Sequence, residues 1–169
     1  GWIAYNFLGI ALVEELLKYL VVRRKILNNP AFDEPVDAII YMIITALGFA
    51  ALENILILTA FRDIFPFFNT IITSAVRFAG ATFLHALASG ALGFFLALSI
   101  FYVKKRIRLI IGGLVLATAL HALYNLFIIK AGESIYWALI PLILLVSLAA
   151  FVSYGFRKAK QLKSICKLS

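Results

Sequence analysis

Ionisable side chains interrupt the long apolar runs of this 169-residue chain. They are Glu14, Glu15 and Lys18 in the first run, Glu53 in the second, Arg77 and His85 in the third, and His121 in the fourth. The chain has no histidines besides these two. Each ionisable group inside a bilayer costs about 2.5–3.5 kcal/mol even on the mild insertion scale. Random scatter would place such groups in loops, so we expect these to be retained for function.

Carboxylates and imidazoles together can activate water for hydrolysis. One arrangement uses metal: Glu53, His85 and His121 would form a two-histidine, one-glutamate zinc set with a coordination position left for water. Glu14 or Glu15 would then act as the general base. The local zinc signature H-E-x-x-H is absent from the sequence, so the pattern does not select zinc by itself.

The other arrangement needs no metal. A buried glutamate would deprotonate water with help from one histidine. The second histidine and Asn125 would stabilise the oxyanion that forms. The catalytic candidates from both arrangements are Glu14, Glu15, Glu53, His85, His121 and Asn125.

Helical spacing predicts which of these side chains share a face. Glu14 and Lys18 are four residues apart with the acid first, which favours an ion pair. Glu15 points about 100° away and needs another partner. Ser89 shares a face with His85 and is expected to pack or to hydrogen bond between helices. Small residues that would let the helices approach closely are Gly48, Ala50, Ala51, Ala81, Ala86, Gly90 and Gly93.

The composition is that of a membrane protein. Apolar residues make up 64% of the chain and the mean hydropathy is +1.03, whereas soluble domains contain about 45–50% apolar residues. We predict an all-α, polytopic bundle of about five transmembrane helices, forming a single domain over residues 1–169. The predicted helices are 2–22, 36–61, 69–103, 109–129 and 135–156.

Three clusters of basic residues support the helix count. They lie at 23–25, 104–108 and 157–167, after the first, third and fifth runs. The positive-inside rule places them on one side of the membrane, with the N-terminus outside and the C-terminal tail in the cytoplasm. Because each cluster caps an apolar run, we expect contact with membrane lipid and no nucleic-acid partner.

Four short motifs resemble those of a known family. In order they are Glu14-Glu15-x-x-Lys18, Phe49-x-x-x-Glu53-Asn54, His85-x-x-x-Ser89 and His121-x-x-x-Asn125. Together they closely resemble the PrsW-type intramembrane proteases, a family similar at a distance to the type II CAAX prenyl endopeptidases and the Aph subunit of γ-secretase. The resemblance covers the first four runs.

The resemblance implies hydrolysis of a peptide bond in a membrane-bound protein within a prokaryotic cell membrane. The family is associated with site-1 cleavage of anti-sigma factors. Its polar positions fall on Glu14, Glu15, Glu53, His85 and His121. PrsW-type enzymes are often classed as metalloproteases, whereas the prenyl endopeptidases are thought to work without metal, so both mechanisms stay open. Glu53 stands where the prenyl endopeptidases have histidine, which argues against a prenylated substrate.

Two other classes of function use the same residues. A transporter or channel could carry protons or metal ions along them, but inverted repeats and broken helices are not evident in the sequence. A non-catalytic scaffold like the Aph subunit could keep histidines for packing alone. The complete set of glutamates and histidines favours an intramembrane endopeptidase over both.

Overall fold

Five α-helices account for most of the chain. A computed structural model describes residues 2–27, 29–61, 67–130 and 134–162, and the described residues contain no strand. The helices are α1 (Trp2–Lys25), α2 (Pro35–Phe61), α3 (Phe67–Phe101), α4 (Arg106–Lys130) and α5 (Ile135–Ala159). A 3-10 turn at Val103–Lys105 joins α3 to α4. The predicted all-α bundle is confirmed.

The first helix is longer than predicted at its C-terminal end. The basic residues 23–25 form its last turn instead of a loop. Cations at a helix C-terminus interact favourably with the helix dipole, and their long stems lie along apolar surface, so the charges do not end the helix. The side chain of Arg77 and the tail beyond residue 162 lie outside the described residues.

Four of the described helices are long and apolar enough to cross a membrane. These spans are Pro35–Ala60, Ala79–Phe101, Val103–Lys130 and Leu139–Ala159. The remaining helix, α1, is 24 residues long and carries Glu14, Glu15 and Lys18 within it. Large apolar side chains such as those of Phe83 and Val146 are exposed on the outside of the bundle, as expected of a surface in contact with lipid.

The third helix is the centre of the bundle. It packs against α2, α4 and α5, while α1 packs mainly against α4 and α2. Of its membrane span, 67% is buried, against 22% of the spans of α2 and α5. Phe94 of α3 contacts the rings of Phe151 and Tyr154 on α5. The fifth helix therefore supports α3 through these aromatic contacts.

Close approach of α2 and α3 depends on Gly93. A Cβ atom added there would lie 2.7 Å from Ile39 Cα and 2.8 Å from Ala38 O, both backbone atoms of α2. The predicted role of Gly93 as a spacer is confirmed. The same prediction for Gly48 is wrong, because Gly48 is exposed and nothing lies within 4 Å of an added Cβ. Ala50, two residues later, is fully buried instead.

Candidate functional site

The structure brings the polar side chains of four helices into one cluster. Its members are Glu14, Glu15 and Lys18 of α1, Glu53 of α2, His85 and Ser89 of α3, and His121 of α4. Both histidines and Glu15 are buried, and the side chain of Glu14 is 15% exposed. Of these residues, the sequence predicted one shared site for Glu14, Glu15, Glu53, His85 and His121, and the structure brings those five together.

Glu15 is the most completely bonded member of the cluster. Its Oε1 accepts hydrogen bonds from Lys18 Nζ at 2.7 Å and from His121 Nδ1 at 3.0 Å. Its Oε2 accepts a bond from Ser89 Oγ at 2.7 Å. The expected ion pair between Glu14 and Lys18 gives way to this i,i+3 pair with Glu15. Glu15 points into the contact with α3 and α4, where it meets three donors.

Lys18 and Glu53 together orient the ring of His85. Lys18 Nζ lies 2.8 Å from His85 Nδ1, and a lysine ammonium can only donate, so Nδ1 accepts. The proton of the neutral ring is then on Nε2, which donates to Glu53 Oε2 at 2.8 Å. Phe49, one turn before Glu53, places its ring centroid 4.7 Å from Lys18 Nζ, a cation–π contact that helps to bury the ammonium.

The ring of His121 has the opposite tautomer. Its Nδ1 donates to the carboxylate of Glu15, which leaves the lone pair on Nε2. That nitrogen lies 3.6 Å from Glu14 Oε2, and His85 Nδ1 lies 4.0 Å from the same oxygen. The two imidazole rings meet edge to face, with centroids 4.8 Å apart. Three atoms that can hold a lone pair therefore face one another.

Glu14 Oε2 is a buried acceptor that has no hydrogen-bond partner among the described residues. A buried acceptor without a partner costs about 1–3 kcal/mol, and more for a charged group, so natural sites rarely keep one without a ligand. Glu14, His85 and His121 offer atoms that all lie within 4.8 Å of one another. A tetrahedral zinc ion with bonds of about 2.0–2.1 Å needs ligand atoms roughly 3.3–3.4 Å apart. The donor set therefore fits a metal ion after small movements, which include release of His85 Nδ1 from Lys18 Nζ.

The fit changes the ligand set expected from the sequence. The sequence places Glu53 with the two histidines, but Glu53 lies against Nε2 of His85, while Nδ1 of that ring faces Glu14. Glu14 therefore takes the place of Glu53 among the atoms that could hold a metal. Because Glu53 instead contacts the outer nitrogen of His85, it is positioned to orient a ligand, as carboxylates commonly do at metal sites.

The charges of the cluster also favour a divalent cation. It contains three carboxylates and one ammonium, a net charge of −2 when the carboxylates are ionised and both imidazoles are neutral. Net charge is costly to bury inside a bilayer. One divalent cation at Glu14 would balance this charge.

Two polar residues of α4 lie where the sequence motifs did not predict them. Asn125, a predicted oxyanion partner, is half-buried and takes no part in the hydrogen bonds of the cluster. Thr118, which no sequence motif indicated, is buried, and its Oγ1 has no hydrogen-bond partner. Its position three residues before His121, on the same helix face, is the signal that could have identified it.

Between α2 and α3, Asn54 Nδ2 donates to Thr82 Oγ1 at 3.4 Å, beside the contact of Glu53 with His85. This bond joins the two helices next to the cluster.

The fold and site together define a class of protein: a polytopic helical membrane protein whose buried centre of glutamates and histidines has the groups needed for hydrolysis.

Comparison with known proteins identifies the family within this class. The family described as PrsW family intramembrane metalloprotease matches residues 2–154, and the chain belongs to it. It is thus an intramembrane protease, a peptide hydrolase, as the sequence motifs predicted. It is an integral membrane protein that acts on protein substrates.

Curated relatives agree with this assignment. The chain is 35% identical to Protease PrsW of Geobacillus kaustophilus (strain HTA426), over 97% of this chain and 67% of the relative. It is 29% identical to Protease PrsW of Bacillus subtilis (strain 168), over 95% of this chain and 67% of the relative. A third Protease PrsW, from Oceanobacillus iheyensis, is 32% identical over 92% of this chain and 67% of its own length. No solved structure matches the chain.

Proposed function

We propose that the protease cleaves its substrate with water held among Glu14, His85 and His121. The observation that carries this proposal is Glu14 Oε2, a buried acceptor without a hydrogen-bond partner that faces two histidine nitrogens at 3.6 and 4.0 Å. The substrate is a membrane-bound protein, and the family resemblance favours an anti-sigma-factor type of substrate cut at its first site. The basic clusters support an outside N-terminus and a cytoplasmic C-terminal tail.

The cofactor in this proposal is zinc, held by Glu14 Oε2, His85 Nδ1 and His121 Nε2. When bound, zinc supplies Lewis acidity that acidifies water and polarises a carbonyl. Glu15 accepts a hydrogen bond from the N–H at His121 Nδ1. This bond keeps the lone pair of the ring on Nε2. Lys18 retains Glu15 as its partner when His85 Nδ1 is engaged elsewhere.

Glu53 is the proposed proton carrier. Its side chain is 32% exposed, against 15% for Glu14 and 0% for Glu15, so it has the best access to an entering substrate. Glu15 already accepts three hydrogen bonds, which makes it a poor base. Peptide hydrolysis requires that water lose one proton and that the leaving amine gain one. Glu53, which contacts His85 Nε2 in this structure, would have to turn toward the water to accept the first and deliver the second.

The metal-free alternative assigns Glu14 a different role. Its Oε2 would take the proton from water directly, with His121 and Asn125 stabilising the oxyanion. Both mechanisms need Glu14, whereas the zinc mechanism alone needs the metal. The description of the family as metalloproteases favours the mechanism that uses a metal.

Metal analysis combined with cleavage of a membrane-anchored reporter tests the proposal. We expect about one zinc ion per purified chain and loss of cleavage with a chelator, restored by zinc. Glu14→Gln should lose zinc and reduce cleavage by about a hundredfold or more. The matched control is Glu34→Gln, which neutralises an exposed carboxylate near the start of α2 and should keep both zinc and activity.

Two results would contradict parts of this proposal. A metal-free enzyme that cleaves at full rate would exclude zinc and select the mechanism with Glu14 as base. Full cleavage by both Glu14→Gln and His121→Ala would refute the site itself.

A further inference from the structure

A groove outside the polar cluster opens at the basic end of the bundle, between α1, α3 and α4. Its volume is about 710 Å³, within the range of small-molecule sites. Apolar side chains line most of it, among them Leu16, Tyr19, Leu27, Leu96, Ile110 and Leu114. Arg23 and Arg106 also line the groove. We propose that it binds one anionic phospholipid, with the phosphate on the two arginines and an acyl chain along the apolar wall.

The length of the groove suits an acyl chain. Along α1 it extends from Leu16 to Arg23, about 10 Å at 1.5 Å per residue. Along α4 it extends from Arg106 to Leu114, about 12 Å on the same scale. One leaflet of the hydrocarbon core is about 15 Å deep. The groove therefore follows most of the depth of one leaflet and opens at the level of the headgroups.

The two arginines give the groove its charge selectivity. Arg23 is exposed in the last turn of α1, and Arg106 is exposed at the first position of α4. Arg106 Nε donates to Ser99 O at 3.3 Å, which orients the guanidinium and leaves its terminal N–H groups to donate elsewhere. The planar fork of a guanidinium matches two oxygens of a phosphate. The pair thus forms a phosphate-binding rim above an apolar wall.

Charge around the rim reinforces this preference. Seven basic residues lie at this end, at positions 23–25, 104–106 and 108, against three acids in the segment that leads into α2, at positions 33, 34 and 37. Exposed lysines and arginines near an anionic membrane surface add a weaker attraction that salt screens. A soluble phosphate would meet the arginines but leave the apolar wall uncovered. A phospholipid satisfies both parts of the site at once.

Native mass spectrometry of the detergent-purified chain tests this site, with phosphatidylglycerol and phosphatidylcholine of matched acyl chains as probes. We expect phosphatidylglycerol to bind about tenfold more tightly or better. Arg23→Gln/Arg106→Gln should weaken its binding roughly 100-fold, about tenfold for each charge-assisted hydrogen bond to the phosphate that is lost. The matched control, Arg24→Gln/Arg108→Gln, removes the same charge from outside the groove and should change binding less than about threefold.

A second variant tests the apolar wall separately. Leu114→Trp keeps both arginines and fills the groove, so it should weaken phosphatidylglycerol binding while circular dichroism shows an unchanged helical content. Equal loss in the two double variants would mean that diffuse charge attracts the lipid, and would overturn the proposal. Equal affinity for phosphatidylcholine, or equal affinity for soluble glycerol phosphate, would also overturn it.

Discussion

The buried ion pair of Glu15 and Lys18 should dominate the stability of the bundle around the site. Both side chains are 0% exposed and their charged atoms are 2.7 Å apart. Glu15→Gln leaves the ammonium of Lys18 buried without a counter-ion at that position, and breaking a buried pair in this way costs about 3–5 kcal/mol. Lys18→Met is less harmful, because Glu15 keeps Ser89 and His121 as donors. Lys18→Met removes the hydrogen bond to the carboxylate of Glu15, at a cost of about 1.5–3 kcal/mol, and it also removes the bond to His85 Nδ1.

A double-mutant cycle gives the interaction energy directly. The double variant removes both charges and leaves neither buried alone, so it should be more stable than the sum of the single changes predicts, by about 1–3 kcal/mol. Equilibrium unfolding by SDS in mixed micelles, followed by circular dichroism, measures each corner of the cycle. Lys25→Met, which removes an exposed charge from the same helix, should change the free energy of unfolding by less than about 0.5 kcal/mol. If the single changes add within about 0.5 kcal/mol, the two charges do not interact and this reasoning is wrong.

Two further predictions concern helix packing and the support of the metal ligands. Gly93→Ala should destabilise the protein by about 1–3 kcal/mol, because the new methyl group meets the α2 backbone, whereas Gly48→Ala should be neutral or stabilising by up to about 1 kcal/mol. The same SDS titration compares the two, and equal effects would show that α2 and α3 are not in close contact at Gly93. Ser89→Ala removes a hydrogen bond to Glu15, the carboxylate that orients the proposed ligand His121, and should weaken zinc binding by up to about tenfold, the lower end of the effect of losing a direct partner of a ligand. Competition with a zinc chelator measures this loss, and an unchanged affinity would separate Ser89 from the metal site.

Much of the site could be predicted because apolar helices make polar residues conspicuous. A glutamate or histidine inside a membrane span must find partners within the bundle, so the presence of Glu53, His85 and His121 in three separate runs was enough to predict one shared site. The helix count followed in the same way from run length and the basic clusters. Both predictions use the cost of burying charge, which does not depend on side-chain detail.

The partners within the cluster could not be predicted in the same way. The first helix is apolar on nearly all sides, so no periodic polar face indicates whether Glu14 or Glu15 points inward. The i,i+4 rule, which predicted a pair of Glu14 with Lys18, describes isolated helices. In the bundle, the hydrogen bonds that Ser89 and His121 donate turn Glu15 inward instead. The different packing of Gly48 and Gly93 could not be predicted for a related reason. The lipid-facing and the buried sides of a membrane helix are equally apolar, so the sequence does not show which glycine faces a neighbouring helix.

The hydrogen bond between Glu15 and His121 joins residues 106 positions apart in the chain. Membrane helices insert individually and associate afterwards. Until α4 has been synthesised and has docked against α1, the carboxylate of Glu15 cannot orient His121. During biogenesis, a nascent chain that has inserted α1, α2 and α3 but not α4 therefore lacks a complete hydrolytic centre. Proteolytic activity should therefore appear only after α4 has docked. Before that point, the incompletely assembled chain should not cleave neighbouring membrane proteins.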